Sequence, residues 1–209
     1  MADNQEKFNI YKDKYPVFKF NGYEIMQDDE KITLAYKFEI DGLVKFTPNI
    51  KIMRSGMPMK DISKDESFKA IAFNIGLIEL ISYWKSTCSP NIIIECGSIS
   101  EGQVEWFKKL YYYGLGEFFY TNSINTSMQE FVKISSTNNE KHRFSCVGNK
   151  LDGVLIPIGG GKDSCVTMEL LKDVTKKYCI MVNPKEVSHV CSKIAGFNKR
   201  KYCNCGKAD

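Results

Sequence analysis

The stretch Val154 to Lys172, VLIPIGGGKDSCVTMELLK, constrains this chain more than any other. An apolar run ends at Ile158 and three glycines follow. Lys162, Asp163 and Ser164 then open a pattern with Val166, Leu170 and Val174 at helical spacing. A second apolar run, YCIMVN, ends at Asn183-Pro184, and KEVSHVCSKIAGF reads as the start of another helix. Strand, helix and strand, with wholly apolar strands, predict a parallel sheet covered on both faces. Sheets of that kind bind ligands at the carboxyl ends of their strands. The glycine loop stands at such an end.

The sequence before residue 151 has a different character. KITLAYKFEI places Ile32, Leu34, Tyr36, Phe38 and Ile40 on one face and Lys31, Thr33, Lys37 and Glu39 on the other. This is the period of a strand. Asp41-Gly42 is a hairpin signal, and VFKFNGYEI carries its own turn signal at Asn21-Gly22. The expectation is an antiparallel meander of three or four strands over residues 17 to 52. A helix follows, capped by Asp65 or Ser63 and ended before Pro90. Its apolar residues Phe68, Ile71, Ala72, Ile75, Ile78 and Leu80 cover most of its circumference, which predicts burial on most sides. NIIIEC reads as a buried strand. Ser100 and Gln103 have capping-box spacing before a helix that runs to Tyr113 and stops at Gly114 and Gly116. Residues 121 to 150 are polar and irregular, with SSTNNEKHR as a surface loop. The domain boundary is placed there. The predicted architecture is an α+β N-terminal domain, residues 1–150, followed by the start of an α/β parallel-sheet domain, residues 151–209.

The composition of the loop suits an anion. Amides in the first turn of a helix lack acceptors four residues back, and the helix dipole adds positive potential. Glycines permit unusual dihedrals and close approach of bulky groups. Ser164 adds a hydroxyl and Lys162 a charge, while Asp163 either caps the helix or faces a magnesium ion held by phosphates. Together these describe a phosphate cradle. The Walker pattern does not fit, because Ile156 occupies its first glycine position and Asp163 follows the lysine. The dinucleotide fingerprint fails because Ser164 stands where its last glycine belongs. The segment Gly159-Gly160-Gly161-Lys162-Asp163-Ser164 resembles the Ser-Gly-Gly-x-Asp-Ser loop of the ATP-pyrophosphatase superfamily, with Gly159 replacing the first serine.

Further segments narrow the resemblance. YWKSTCSPNIIIE (Tyr83 to Glu95), EWFKKLYYYGLGEFFYTN (Glu105 to Asn122) and LIPIGGGKDSCVTMELLK (Leu155 to Lys172), in this order, look like the UDP-N-acetyl-muramoyl-L-alanyl-L-glutamate epimerase family. FNGYEI and MVNPKE are also similar to it, so that the resemblance runs from about Phe18 to about Gly196. It implies an adenine nucleotide alpha hydrolase-like ATP-binding domain and a role in peptidoglycan precursor synthesis. It also implies ATP and Mg2+ as cofactors and a UDP-linked muramoyl dipeptide as substrate. Its terminal L-glutamate would be inverted to D-glutamate through an acyl-adenylate, with release of AMP and pyrophosphate. Adenylation removes one negative charge from the carboxylate beside the α-proton, so that a base can take that proton. The other expectations for such a loop are a different adenylating enzyme, a synthetase or tRNA-modifying enzyme, and a non-catalytic nucleotide-binding module.

The sequence does not single out the base. Lys85, Cys88, Glu117 and Tyr111 to Tyr113 are candidates, while Tyr83-Trp84 and Phe118-Phe119-Tyr120 read as core. His189, Cys191, Cys203 and Cys205 form an HVC…CNC pattern, but its spacing is not that of a zinc knuckle, and no metal site is assigned. The 29 basic and 25 acidic residues are mixed along the chain, which argues against nucleic acid as a partner. Lys199-Arg200-Lys201 is a short basic cluster that reads as a solvated face. The polar start carries no apolar signal core, and no run reaches the roughly 18 apolar residues of a membrane span. A cytoplasmic protein with reduced cysteines is therefore expected. Only 45 residues follow Ser164, too few to close a pyrophosphatase-type sheet. KRKYCNCGKAD reads as an unrelated tail. A truncated product is expected, leaving the strands near 154–158 and 178–182 with open edges and apolar faces.

Overall fold

A computed structural model describes residues 3–54, 61–141, 153–197 and 200–206. The domain boundary expected near residue 150 and the end of the predicted surface loop lie outside the described residues. The N-terminal part runs α1 (Asn4–Lys14), β1 (Val17–Gln27), β2 (Lys31–Ile40), β3 (Val44–Phe46), β4 (Asn49–Met53), α2 (Glu66–Trp84), β5 (Asn91–Ile94), α3 (Glu101–Gly114), α4 (Gly116–Thr121) and β6 (Lys133–Ser136). After it come β7 (Val154–Pro157), α5 (Lys162–Leu170), β8 (Lys177–Val182), α6 (Glu186–Ile194) and β9 (Arg200–Gly206).

The strands form one mixed sheet, ordered β6-β5-β1-β2-β4-β9-β8-β7, with β3 beside β2. Its middle is the expected antiparallel meander of β1, β2 and β4. Two parallel wings flank the meander: β1, β5 and β6 on one side, and β9, β8 and β7 on the other. The protein is thus of mixed α+β content.

Alternation in β2 buries Ile32, Leu34, Tyr36, Phe38 and Ile40 against α2 and the aromatic core. The Asp41–Leu43 turn closes the hairpin to β3, with Gly42 in the left-handed region at φ +72°. Asn21-Gly22, however, is no turn. β1 runs straight through it, and the register with β2 slips between Phe20 and Gly22. This is a bulge: Phe20 pairs Phe38, Gly22 pairs Lys37, and Asn21 is the extra residue. A long partner strand outweighs the local turn preference.

Asp65 caps α2 by accepting from the Phe68 amide at 3.1 Å. Contrary to expectation, α2 is buried along one face only. Ala72, Phe73, Gly76, Leu77, Leu80 and Trp84 face the sheet, whereas Ile71 and Ile78 remain 41% and 51% exposed. The sheet offers a single surface, so one stripe of the helix is enough to cover it. Gly76 lets the helix approach: a Cβ there would lie 2.5 Å from Phe20 Cζ and 2.7 Å from Tyr36 Cε1. Gly76→Ala is therefore expected to destabilise by about 1–3 kcal/mol through overpacking, despite alanine's better helix propensity. Urea denaturation at matched m-value checks this.

The capping box is present at Ser100 and Gln103. Gly114 ends α3, and Gly116 begins the short α4. Trp84 is fully buried and Phe119 nearly so, as read from the sequence, whereas Tyr120 is 87% exposed. Within the region read as irregular, Lys133–Ser136 forms β6 and pairs in parallel with β5.

The second wing corrects two expectations. Its strands are covered on one face only among the described residues. Ile156, Ile158, Cys179 and Met181 pack with Met168 and Phe197 under α5 and α6, while Leu155 and Val182 on the other face are 59% and 58% exposed. The cause is topological. From β7 to β8 to β9 the chain steps in one direction, and right-handed crossovers then place both helices on the same side. The buried side of α5 is that of Met168, whereas the predicted Val166 and Leu170 are exposed. The supposed tail is not peripheral either. Arg200–Gly206 forms β9, antiparallel to β4 and parallel to β8, and joins the two wings. β8 is therefore interior, and β7 is the strand at the sheet end. Among the described residues no helix is long and apolar enough to cross a membrane.

Candidate active site

The glycine loop lies where the sequence places it, at the carboxyl end of β7 and the start of α5. Gly161 is the N-cap of α5, with extended dihedrals and no side-chain cap. The first-turn amides of α5 are thus left without a capping side chain. A Cβ on Gly159 or on Gly161 would meet no atom within 4 Å. The two outer glycines therefore border open space, as a bulky anion requires. Gly160 differs. Its φ is +84°, and a Cβ would come within 2.8 Å of Ser188 Oγ and 2.9 Å of Val187 Cγ1. The middle glycine is needed because the first turn of α6 packs against it. No local pattern signals the Val187–Ser188 contact, since it depends on two crossovers returning to the same side of the sheet.

The polar residues divide. Ser164 Oγ accepts from the Gly159 amide at 3.2 Å, which ties the two ends of the loop together and leaves its proton free to donate. Asp163 does not cap the helix. Its carboxylate pairs with Lys162 Nζ at 2.8 Å, and both side chains are about nine-tenths exposed. A pair that open to water adds little to stability, so both groups can turn to a ligand. Cys165 hydrogen-bonds Cys191 of α6, and this bond raises the Cys165 thiol pKa.

The base candidates do not converge on the loop. Tyr111 is buried and donates to the Leu77 carbonyl at 2.5 Å, with its phenol pushed upward by burial. Tyr112 donates to the Thr126 carbonyl. Cys88 is buried with φ +53°, and burial pushes its thiol up to about 12. It lines a cavity of about 180 Å³ together with Lys85 and Phe118. Tyr113 is 73% exposed, and Glu117 lies exposed in the first turn of α4. His189 and Cys191 lie on α6, and the Cys203 and Cys205 side chains lie outside the described residues. Among the described residues no three His, Cys, Asp or Glu side chains cluster as metal ligands would.

Comparison with known proteins decides the family. The family described as the MurL N-terminal domain matches residues 9–201, from α1 through the glycine loop to the start of β9. This chain belongs to the MurL family. A MurL relative from Xanthomonas oryzae pv. oryzae (strain MAFF 311018) is named UDP-N-acetyl-alpha-D-muramoyl-L-alanyl-L-glutamate epimerase. It is 32% identical over 96 residues, which is 46% of this chain and 21% of the relative. The matched stretch thus spans about a fifth of that relative's length. No solved structure matches.

Proposed function

We propose that this MurL-family chain takes part in ATP-dependent inversion of the terminal L-glutamate of a UDP-linked muramoyl dipeptide, in the synthesis of a peptidoglycan precursor. The loop at the start of α5 carries the nucleotide part of this reading. Its outer glycines open on empty space, its helix is uncapped, and it stands at a strand's carboxyl end. These features fit a polyphosphate. The α5 amides and the Ser164 hydroxyl would hold the phosphates, Lys162 would add charge, and Asp163 would face Mg2+. When bound, ATP supplies the adenylyl group that neutralises the substrate carboxylate. The chain's own task is then to exclude water, orient the glutamyl group and move one proton at Cα. In this reading residues 1–150 shape the substrate site and residues 151–209 hold the nucleotide.

AMP and pyrophosphate release, measured with and without the UDP-linked dipeptide, tests the proposal. Release that depends on the dipeptide, with D-glutamate formed, is the expected result. Release with another acceptor would point to a different adenylating enzyme. ATP binding without any release would point to a non-catalytic module.

A further inference from the structure

Behind the glycine loop, α5 and α6 meet at two places. At one, Gly160 packs against Val187 and Ser188. At the other, two thiols touch: Cys165, the residue after Ser164, hydrogen-bonds Cys191 on α6. Cys165 is exposed and Cys191 is half-buried. Both line a cavity of about 420 Å³, which is walled by Met168 and Glu169 of α5 and by Ile194 and Ala195 at the end of α6.

The described cysteines divide by access. Cys88 and Cys179 are buried and Cys96 is half-buried. Burial pushes the Cys88 and Cys96 thiols up to about 12, so they behave as small apolar side chains. Cys165 and Cys191 differ from these. They are in contact with each other, one of them is open to water, and a cavity gives access to both. An accessible thiol with a second thiol beside it is the arrangement of a redox-responsive pair. The proposed function uses neither residue.

We infer that Cys165 and Cys191 form a dithiol site behind the glycine loop, closed into a disulfide by a small-molecule disulfide that enters this cavity. Cys165, the exposed partner, attacks as the thiolate. One sulfur of the small disulfide bonds to Cys165, and the other leaves as a thiolate and takes up a proton. The Cys191 thiolate then attacks the Cys165 sulfur, and the second small thiolate leaves and is protonated. Two protein thiols are oxidised, and one small disulfide is reduced to two thiols. The hydrogen bond to Cys191 disfavours the Cys165 thiolate, which slows the first step. The second step is intramolecular between groups already in contact, and is fast. A covalent bond needs the sulfurs closer than hydrogen-bond contact. Closing it draws the first turn of α5 toward α6. Gly160 cannot follow, because Val187 Cγ1 and Ser188 Oγ already crowd it. The amides opening α5 are then displaced from the rest of the loop. That effect on nucleotide rests on the ATP reading above; the disulfide does not.

The test uses the full chain in two arms. In the first, the folded chain is treated with oxidised glutathione, free thiols are alkylated, and the digest is read by mass spectrometry. A linked pair of peptides carrying Cys165 and Cys191, separated again by dithiothreitol, is the expected result. Cys165→Ser should abolish the link, and Cys191→Ser should stop the reaction at a glutathione adduct on Cys165. No linked pair, or Cys165 joined to a different cysteine, overturns the site. In the second arm, MgATP binding is followed by calorimetry before and after oxidation. Oxidation should weaken binding about tenfold, as a small misplacement of the binding amides would, and dithiothreitol should restore it. Cys165→Ser should bind equally before and after treatment. Equal affinity with the disulfide in place overturns the displacement of the loop. Absence of MgATP binding by the reduced chain counts against the ATP reading, and the first arm then decides the disulfide alone.

Discussion

Gly161→Val is expected to abolish nucleotide binding while leaving the fold in place. The space beside Gly161 is open, and its extended dihedrals suit a β-branched residue. The stability cost should be about 1 kcal/mol or less, that of a poorer N-cap. The new methyl groups would fill the volume assigned to phosphate. Gly160→Val should behave differently. A φ of +84° costs a branched residue about 1–2 kcal/mol, and the clash with Val187 and Ser188 adds to it. That variant is expected to lose binding and to unfold its wing at lower temperature. The contrast separates a phosphate cradle from a structural turn. If the loop only turns the chain, Gly161→Val leaves every property nearly unchanged. Differential scanning fluorimetry with and without MgATP reads both effects.

The second large effect is expected at Trp84. This side chain is fully buried at the end of α2, and its indole N–H donates to the Ser89 carbonyl at 2.7 Å. Its ring meets Phe131 edge-on at 5.9 Å, so it ties α2 to the segment entering β6. Trp84→Ala should cost about 3–5 kcal/mol, the usual range for emptying a large aromatic site. Much of the stability of a domain this size would be lost. Trp84→Phe keeps part of the volume but leaves the Ser89 carbonyl without its donor, and should cost less than the alanine. Chemical denaturation followed by far-UV circular dichroism measures both. A loss under about 1 kcal/mol for the alanine variant would show that Trp84 does not anchor this core.

Local chemistry that depends on few neighbours was legible in the sequence. The alternation in β2, the Asp65 cap, the Ser100–Gln103 box and the glycine loop were all read from residues within a few positions of one another. What failed depends on distant partners. Asn21-Gly22 has the same local preference in a turn and in a bulge, and only the continuous partner strand β2 decides between them. Lys133–Ser136 is short and polar, and it becomes a strand because β5 offers an open edge. Arg200–Gly206 carries no apolar pattern to mark it, yet it lies between β4 and β8. The candidate site followed the same rule. The glycine-rich strand-to-helix loop was legible in the sequence, but Val187 and Ser188 reach Gly160 only because the chain passes through β8 and returns in α6. No short motif joins them.

In the proposed function the amides opening α5 receive the phosphates of ATP. Backbone amide resonances of Gly159 to Ser164, followed while MgATP is added, test it most directly. Gly160, Gly161, Lys162 and Asp163 are expected to shift together and saturate, and inorganic pyrophosphate is expected to move the same group. Saturable ATP binding that leaves these amides unmoved, or no binding by a folded chain, would contradict it.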